Sequence, residues 1–130
     1  MKLHIVTVEP EIPQNTGNIA RTCAITGAKL HLVYPLGFKI DDKQLKRAGL
    51  DYWDKLEIEE HQSLDAFLEK YKPEEHKMFF ASSKSKMCYS DINYKEMDEV
   101  FVMYGPETRG LPEDLLQKYM DKCIRIPMRP

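Results

Sequence analysis

The sequence has 130 residues, of which 42% are apolar and 31% are charged, and its formal net charge is −2. This composition is typical of one globular domain with its own core, and no apolar run is long enough to span a membrane. A chain so close to neutral excludes a broadly basic surface, so any nucleic-acid site must be a local patch.

Cysteine and histidine usage argues against a metal site. The three cysteines form no CxxC pair and leave an odd count, so neither a zinc site nor a disulfide framework is predicted. A reducing cytoplasm fits this usage best, and the first residues lead directly into a strand rather than a signal peptide. The four histidines are scattered and show no ligand spacing: His4, His31, His61 and His76.

The chain begins with a predicted strand and a predicted helix. Residues 3–8 form a plausible strand with Ile5 and Val6 in an apolar run, and two prolines then require an extended loop. The helix is predicted to begin at Asn15 or Thr16, which are both good N-caps, and to end at Gly27. Its buried face is indicated by apolar residues at helical spacing: Ile19, Ala20, Cys23 and Ala24.

Three polar residues of this helix follow each other at steps of three: Asn15, Asn18 and Arg21. They lie along one edge, near a helix N-terminus with its free N–H groups and positive dipole end. A cation and two amides in that position would suit a phosphate or a ribose. On spacing alone, a capped surface helix whose arginine pairs with an acid is an equally good interpretation.

Residues 29–34 form the second predicted strand, and a short helix over residues 43–48 follows it. Three cations share one face of that helix: Lys43, Lys46 and Arg47. Lys39 precedes the helix and Trp53 follows it, so basic and aromatic groups lie together, which favours an RNA contact. A solvated face is the usual meaning of such a run, and Trp53 could equally be a core residue.

The middle of the chain predicts two more strands and an amphipathic helix. Residues 56–58 alternate as in a short strand, and Ser63 caps a helix that Pro73 terminates. The apolar face of this helix consists of Leu64, Phe67, Leu68 and Tyr71. Residues 77–81 form the next strand, which runs into a segment of serines and lysines typical of a ligand loop or of a flexible turn.

The central strand is predicted over residues 100–104, an apolar, β-branched and aromatic run suited to burial on both faces. A helix from Pro112 to about residue 120 and a strand over residues 123–126 complete the chain. Strands alternate with helices throughout, so we predict an α/β fold with a mostly parallel sheet and helices on both faces. A Rossmann dinucleotide site is disfavoured because no G-x-G-x-x-G follows a strand.

The loop after the central strand carries one carboxylate and one guanidinium, Glu107 and Arg109, between Gly105 and Gly110. In open α/β sheets, the loops at the carboxyl ends of strands bind ligands. An ordinary strand-to-helix connection with a solvated ion pair is the alternative interpretation. Because the loop residues are specialised for backbone shape and charge, we favour a ligand site.

Three segments together resemble the SPOUT methyltransferases, which are knotted RNA methylases that use S-adenosylmethionine. Residues 105–111 (GPETRGL) are similar to the family's second motif, residues 9–21 (EPEIPQNTGNIAR) to its first, and residues 124–128 (IRIPM) to the start of its third. Together with residues 47–52 (RAGLDY), the pattern resembles the tRNA 2′-O-methyltransferases of the wobble nucleotide, the TrmL type.

The resemblance implies an α/β-knot fold, a homodimer, and transfer of the methyl group of S-adenosylmethionine to a ribose 2′-hydroxyl of tRNA. Arg21 matches the motif-one arginine that usually has the catalytic role. The cofactor would be held by Ala81, Ser82, Gly105, Glu107, Ile126 and Met128. The tRNA would be bound by Asn15, Asn18, Lys43, Lys46, Arg47 and Arg109, with Lys84 and Lys86 as a second edge.

Within that site, the resemblance implies that Glu107 and Arg109 shape the loop by pairing with each other or with the partner subunit. The family also continues beyond Pro130 with the rest of its third motif and a last helix. That segment completes the knot and supplies part of the cofactor pocket and much of the dimer interface. We therefore expect residues 1–130 to form a single domain truncated at its C-terminal end.

Other functions are compatible with the same residues. One alternative is a non-catalytic RNA-binding or assembly module with this fold, and another is a small flavodoxin-like nucleotide-binding protein. A 2′-O-methyltransferase that acts on another RNA is a third. Saturable binding of S-adenosylhomocysteine distinguishes a methyltransferase from the first two.

Overall fold

The computed structural model describes residues 2–39, 56–82 and 97–125. The described elements follow each other as β1 (Lys2–Val8), α1 (Pro13–Thr26), β2 (Lys29–Val33), β3 (Glu57–His61), α2 (Leu64–Lys70), β4 (Met78–Ala81), β5 (Glu99–Tyr104), α3 (Glu113–Lys118), a 3₁₀ turn (Met120–Lys122) and β6 (Cys123–Ile124). The predicted helix over residues 43–48 lies outside these ranges. None of the described helices is long and apolar enough to cross a membrane.

The described strands form one sheet in the order β3-β2-β1-β5-β4-β6, and every neighbouring pair is parallel. At the centre, β1 and β5 pair from Lys2 opposite Glu99 to Thr7 opposite Tyr104. The predicted parallel sheet is therefore confirmed. Because parallel strands end on the same side, the loops after β1, β4 and β5 leave from one edge, which we call the carboxyl edge.

Helices cover both faces of this sheet, as predicted. On one face, Ala20 and Cys23 of α1 pack against Leu30 and Leu32 of β2. On the other face, side chains of α2 and α3 pack with the alternate residues of β1 and β5, including Phe67, Leu115 and Phe101. Residues of one strand point alternately to the two faces, so the central strands are buried on both.

Local signals in the sequence account for several element ends. Ser63 caps α2, since its hydroxyl accepts a 3.0 Å hydrogen bond from the Ala66 N–H. Gly27 ends α1 with a left-handed φ of 79°, which a residue with a Cβ adopts only at a cost. Both predictions are confirmed. The strand predicted over residues 56–58 is longer, Glu57–His61.

The predicted N-cap of α1 is wrong. The helix begins at Pro13, and the N-cap position is Ile12, which makes no side-chain capping bond. Proline at the first helical position needs no N–H partner and has φ already set, which explains the earlier start. Thr16 is buried inside the helix, and its hydroxyl has no hydrogen-bond partner among the described residues.

The end of the chain also differs in detail from the prediction. The helix expected from Pro112 to about residue 120 is shorter, and Pro112 is its N-cap rather than its first residue. After α3 the chain tightens into a 3₁₀ turn before β6. The ladder of β6 pairs Cys123 with Phe80 and Ile124 with Ala81, which places it at the end of the described sheet.

Candidate active site

The loop after β5 and the loop before α1 lie side by side at the carboxyl edge. Their parent strands pair directly, with Val6 opposite Met103 and Thr7 opposite Tyr104. The strand on the other side of β5 ends nearby, since Phe80 of β4 also lies opposite Met103. Three of the segments singled out in the sequence therefore converge on one place.

Gly105 is required by the way its own loop folds back. A Cβ at this position would lie 2.3 Å from the main-chain carbon of Gly110 and 2.3 Å from the nitrogen of Leu111. The loop is closed by a 2.8 Å bond from the Gly110 N–H to the carbonyl of Pro106, and Gly110 has a left-handed φ of 71°. Because Gly105 has no Cβ, its backbone can contact the backbone of Gly110 and Leu111, which any other residue would prevent.

Glu107 binds the segment that precedes α1. Its carboxylate accepts a hydrogen bond from the Glu11 N–H at 2.7 Å and one from the Ile12 N–H at 3.3 Å. Both donors belong to the turn into the helix, so a residue far away in sequence fixes the start of α1. The carboxylate is thus committed to main-chain N–H groups, and its predicted contact with the cofactor stays a prediction.

Arg109 pairs with a different acid from the one predicted. Its guanidinium Nη2 lies 3.6 Å from Glu9 Oε1, and its side chain is 62% exposed. Of the two expectations for this pair, the one in which Glu107 and Arg109 pair with each other is wrong, and pairing with the partner subunit stays a prediction. Glu9 has φ 48°, an uncommon conformation for a residue other than glycine, at the point where the chain leaves β1.

Glu11 completes a reciprocal contact between the two loops. Its carboxylate accepts a 2.8 Å bond from the Thr108 N–H and a 2.7 Å bond from the Thr108 hydroxyl. Hydrogen bonding by the Thr108 main chain, then by its side chain, lowers the pKa of Glu11. Sequence reasoning missed Glu11 and Thr108, because neither lies at a distinctive spacing and each is recognisable only from its partner.

The polar edge of α1 is exposed as predicted. Asn15, Asn18 and Arg21 all lie on the solvent side of the helix. No acid of the described ranges lies within ion-pair distance of Arg21, so the alternative in which the arginine pairs with an acid gains no support there. Its charge therefore faces solvent, in the element that begins beside the loop after β5.

Ala81 and Ser82 end β4 at the carboxyl edge, and both are half-buried. The Ser82 N–H donates a 2.8 Å hydrogen bond to the carbonyl of Ile124, so that N–H is already used. These two residues lie one strand away from Gly105, as a shared site requires. The other predicted site residues lie outside the described parts of the chain: Ile126, Met128, Lys43, Lys46 and Arg47.

Three of the histidines lie together, which their sequence spacing did not indicate. His4 Nδ1 is 2.8 Å from His31 Nε2, and His31 Nδ1 is 2.9 Å from His61 Nε2. The row ends at Glu99, whose carboxylate lies 2.8 Å from His4 Nε2. A carboxylate can only accept, so His4 must donate to Glu99 from its Nε2–H, which leaves its Nδ1 as an acceptor. By the same reasoning, His31 donates from Nε2 to His4 and His61 donates from Nε2 to His31.

We call His4, His31 and His61 the imidazole row. Burial, then repulsion by the neighbouring histidines, lowers the pKa of His31 to about 3, and burial also lowers the pKa of His4 and His61. The rings are therefore neutral at physiological pH. They lie on the face of the sheet that α2 covers, where Phe67 and Tyr71 contact the His31 ring.

The end of the imidazole row has the ligand types of a metal site. Ligand atoms of His31, Glu59 and His61 lie within 4.8 Å of one another. However, the Glu59 carboxylate already pairs with Lys29 at 2.7 Å and with Lys70 at 2.8 Å. Burial opposes ionisation of Glu59, but hydrogen bonds from Lys29, Lys70 and Tyr71 lower its pKa to about 2. Two ammonium groups disfavour a further cation, so we assign the cluster a structural role.

The sequence has relatives that cover nearly all of it. Residues 2–130 match the SpoU rRNA Methylase family. A protein of Bacillus subtilis (strain 168) is 51% identical over 127 residues, which are 97% of this chain and 78% of that protein. A protein of Escherichia coli (strain K12) named tRNA (cytidine(34)-2′-O)-methyltransferase is 46% identical over 129 residues, 98% of this chain and 80% of that protein.

Solved structures share the fold. One, described as "Structural insights into the 2-OH methylation of C/U34 on tRNA", superposes with a TM-score of 0.88 at 42% identity and covers 99% of this chain and 82% of its own. The SpoU methyltransferase AviRb of Streptomyces viridochromogenes, solved in complex with the cofactor AdoMet, has a TM-score of 0.81 at 18% identity, over 99% of this chain and 49% of its own. The predicted SPOUT fold is confirmed, and the chain belongs to the SpoU rRNA Methylase family.

Proposed function

We propose that this protein transfers the methyl group of S-adenosylmethionine to the ribose 2′-hydroxyl of nucleotide 34, the wobble nucleotide, of tRNA. The observation that carries the proposal is the similarity over nearly the whole chain to relatives named for this reaction, at 46% identity. The structure described for C/U34 methylation supports the same substrate. Motif one and motif two meet at the carboxyl edge, as a site shared by cofactor and ribose requires.

The residues at the carboxyl edge fit S-adenosylmethionine. The loop from Gly105 to Gly110 is folded back on its own backbone and closed by the Gly110–Pro106 hydrogen bond, so its main-chain groups are held in a fixed arrangement. Ala81 and Ser82 end the neighbouring strand beside it. We propose that these residues hold the cofactor together with Ile126 and Met128. When bound, the cofactor supplies an electrophilic methyl group on its sulfonium sulfur.

Arg21 is the proposed catalytic residue. Its exposed guanidinium would bind the 2′-oxygen or the adjacent phosphate and hold the oxygen in line with the methyl group. An arginine with a pKa above about 12 is a poor base, so orientation and charge stabilisation are the roles we assign to it. Asn15 and Asn18 extend the same edge of α1 and would contact the substrate.

We further propose a homodimer that acts on tRNA in the cytoplasm. The dimer rests on the resemblance to the SPOUT family, which implies one. Transfer from a sulfonium needs no metal ion, and no membrane surface is part of the proposal. Binding of tRNA would use Arg109 and the cations Lys43, Lys46 and Arg47.

The family description leaves one rival substrate, ribosomal RNA. Purified protein is incubated with labelled S-adenosylmethionine and either tRNA or ribosomal RNA, and binding of S-adenosylhomocysteine is measured by calorimetry. The proposal predicts saturable binding and label in tRNA alone. Label in ribosomal RNA alone would change the substrate, and absence of binding would favour a non-catalytic RNA-binding module.

A further inference from the structure

Two carboxylates tie the loop before α1 to the loop after β5, each binding the other's segment. The Glu107 carboxylate accepts hydrogen bonds from the N–H groups of Glu11 and Ile12, and the Glu11 carboxylate accepts them from the N–H and the hydroxyl of Thr108. The second Glu11 oxygen also lies 2.9 Å from the Thr108 hydroxyl. We call these four residues the loop clamp: Glu11, Ile12, Glu107 and Thr108.

The two segments that the clamp joins have different tasks in the proposed reaction. The loop before α1 leads directly into the helix that carries Arg21, and Gly105 begins the loop proposed to hold the cofactor. Arg109 and Glu9 add a second tie between the same segments, at 3.6 Å. The clamp therefore fixes the start of the helix that carries Arg21 relative to the loop proposed to hold the cofactor.

We propose that Glu11 is a positioning residue of the methyl-transfer site, whose carboxylate acts through Thr108 on the geometry of the cofactor loop and of Arg21. The inference rests on the proposed function. In-line transfer depends steeply on geometry, and a displacement of about 1 Å can cost roughly a hundredfold in rate. A residue whose only task is to hold two loops together can therefore control turnover without touching either substrate.

The clamp lies near the surface, where its bonds contribute little to global stability. Glu107 and Thr108 are exposed, and charge-assisted bonds to main-chain N–H groups in such places resemble helix caps. Removing the Glu11 carboxylate should consequently leave the sheet folded. The loss should appear in turnover, and less in affinity for S-adenosylhomocysteine, because the cofactor loop is also closed by its own Gly110–Pro106 bond.

The test compares Glu11→Ala with a matched control, Glu57→Gln. Glu57 also makes a charge-assisted bond, 2.8 Å to Lys2, but at the opposite edge of the sheet. We expect Glu11→Ala to lower kcat roughly tenfold or more, with a smaller change in affinity for S-adenosylhomocysteine and a melting temperature only a few degrees below that of wild type. The control should keep wild-type kcat.

Two further variants separate positioning from a general structural role. Thr108→Ser keeps the hydroxyl donor and should keep kcat near wild type. Thr108→Val removes the hydroxyl donor, although the N–H of residue 108 remains, and should lower kcat. Because both residues act through one contact, adding Thr108→Val to Glu11→Ala should cost little more. Wild-type kcat in Glu11→Ala, or fully additive losses, would overturn the positioning role.

The proposed function and the clamp fail in distinguishable ways. If the wild-type protein transfers no methyl group to any RNA, the proposed function fails and takes the positioning role with it. If the wild type is active and Glu11→Ala is equally active, only the positioning role fails. Amide hydrogen exchange gives an independent readout, since the Thr108 N–H should lose protection in Glu11→Ala while the amides of β5 keep theirs.

Discussion

Arg21 is exposed and lies on the helix whose start the loop clamp fixes. Its exposed neighbours on α1 are Asn18, Thr22 and Ile25, while Ala20 and Cys23 on the other side of the helix are 1% exposed. The helix therefore keeps its buried face whether or not the guanidinium is present. Loss of the guanidinium should affect chemistry and leave packing unchanged.

We predict that Arg21→Ala lowers kcat for tRNA by roughly a hundredfold or more, the usual cost of removing a transition-state contact. The melting temperature and the affinity for S-adenosylhomocysteine should stay near their wild-type values. Steady-state kinetics, thermal unfolding and calorimetry on the same preparation check this. Lys118→Ala, at an exposed position of α3, is the control, and wild-type turnover of Arg21→Ala would remove the catalytic assignment.

Gly105 differs from Gly27 in the reason for which a glycine is needed. A Cβ on Gly105 would overlap the backbone of Gly110 and Leu111, whereas a Cβ on Gly27 would meet nothing within 4 Å. Gly27 needs only its left-handed φ of 79°. A side chain at position 105 would therefore clash with backbone, whereas a side chain at position 27 would only be held in an unfavourable φ.

We predict that Gly105→Ala unfolds the loop after β5 and thereby abolishes binding of S-adenosylhomocysteine. Gly27→Ala should lower the free energy of unfolding by about 1 kcal/mol and leave that binding unchanged. Calorimetry and chemical denaturation of both variants provide the measurement. Tight binding by Gly105→Ala would show that the cofactor is held elsewhere.

The imidazole row crosses the sheet from β1 through β2 to β3 and holds three neutral rings in the core. Around it lie Glu99, Glu59, Lys29, Lys2, Lys70, Tyr71 and His76. Burial lowers the pKa of His31 from 6.5 to about 3. Below pH 6.5, His31 therefore takes up a proton in the unfolded chain but stays neutral in the folded chain. The free energy of unfolding consequently falls as the pH decreases.

We predict that acidification from pH 6.5 to pH 5 lowers the free energy of unfolding by about 1.5 kcal/mol through His31 alone, because its pKa stays below that range. Urea denaturation at several pH values measures this slope. In His31→Leu the protein should be less stable at pH 7.5, and its stability should depend less on pH. Equal slopes for the two proteins would contradict the assignment.

Elements defined by local signals could be predicted from the sequence, and contacts between distant segments could not. The apolar run of β5, the Ser63 cap and Gly27 depend on residues a few positions apart, and all three were predicted. The start of α1 was missed although Pro13 is a local signal for it. What no local signal shows is that Glu107, 95 positions away, binds the Ile12 N–H at that start.

The same reason explains the other contacts that sequence reasoning missed. The imidazole row joins three strands, and no spacing along one segment could reveal that His4 and His31 touch. The loop clamp likewise becomes visible only once β1 and β5 are known to be neighbours. In contrast, Arg21 and Gly105 could be predicted as site residues because each belongs to a short motif that can be recognised within its own segment.

At the scale of the whole molecule, a formal charge of −2 must be reconciled with an RNA substrate. Several of the cations in the described ranges are neutralised by acids, as Lys29 and Lys70 are by Glu59. A confined basic patch is therefore required, and Lys43, Lys46 and Arg47 are the residues we predict for it.

We predict that changing Lys43, Lys46 and Arg47 together to glutamine lowers the slope of log affinity for tRNA against log salt by about two, since each phosphate contact contributes roughly 0.7–0.9. The control removes three exposed lysines elsewhere, Lys72, Lys77 and Lys118. Filter binding over a salt series measures both slopes. Identical slopes in the wild type and the first variant would place the RNA on another surface.

The central claim is that the oxygen methylated is the 2′-hydroxyl of nucleotide 34. The most direct measurement uses tRNA assembled with a single 2′-deoxynucleotide at position 34 and, as the matched control, with one at position 33. Methyl transfer from labelled S-adenosylmethionine should be absent from the first RNA and should persist in the second. Undiminished transfer to the RNA that lacks the 2′-hydroxyl at position 34 would contradict the proposed reaction.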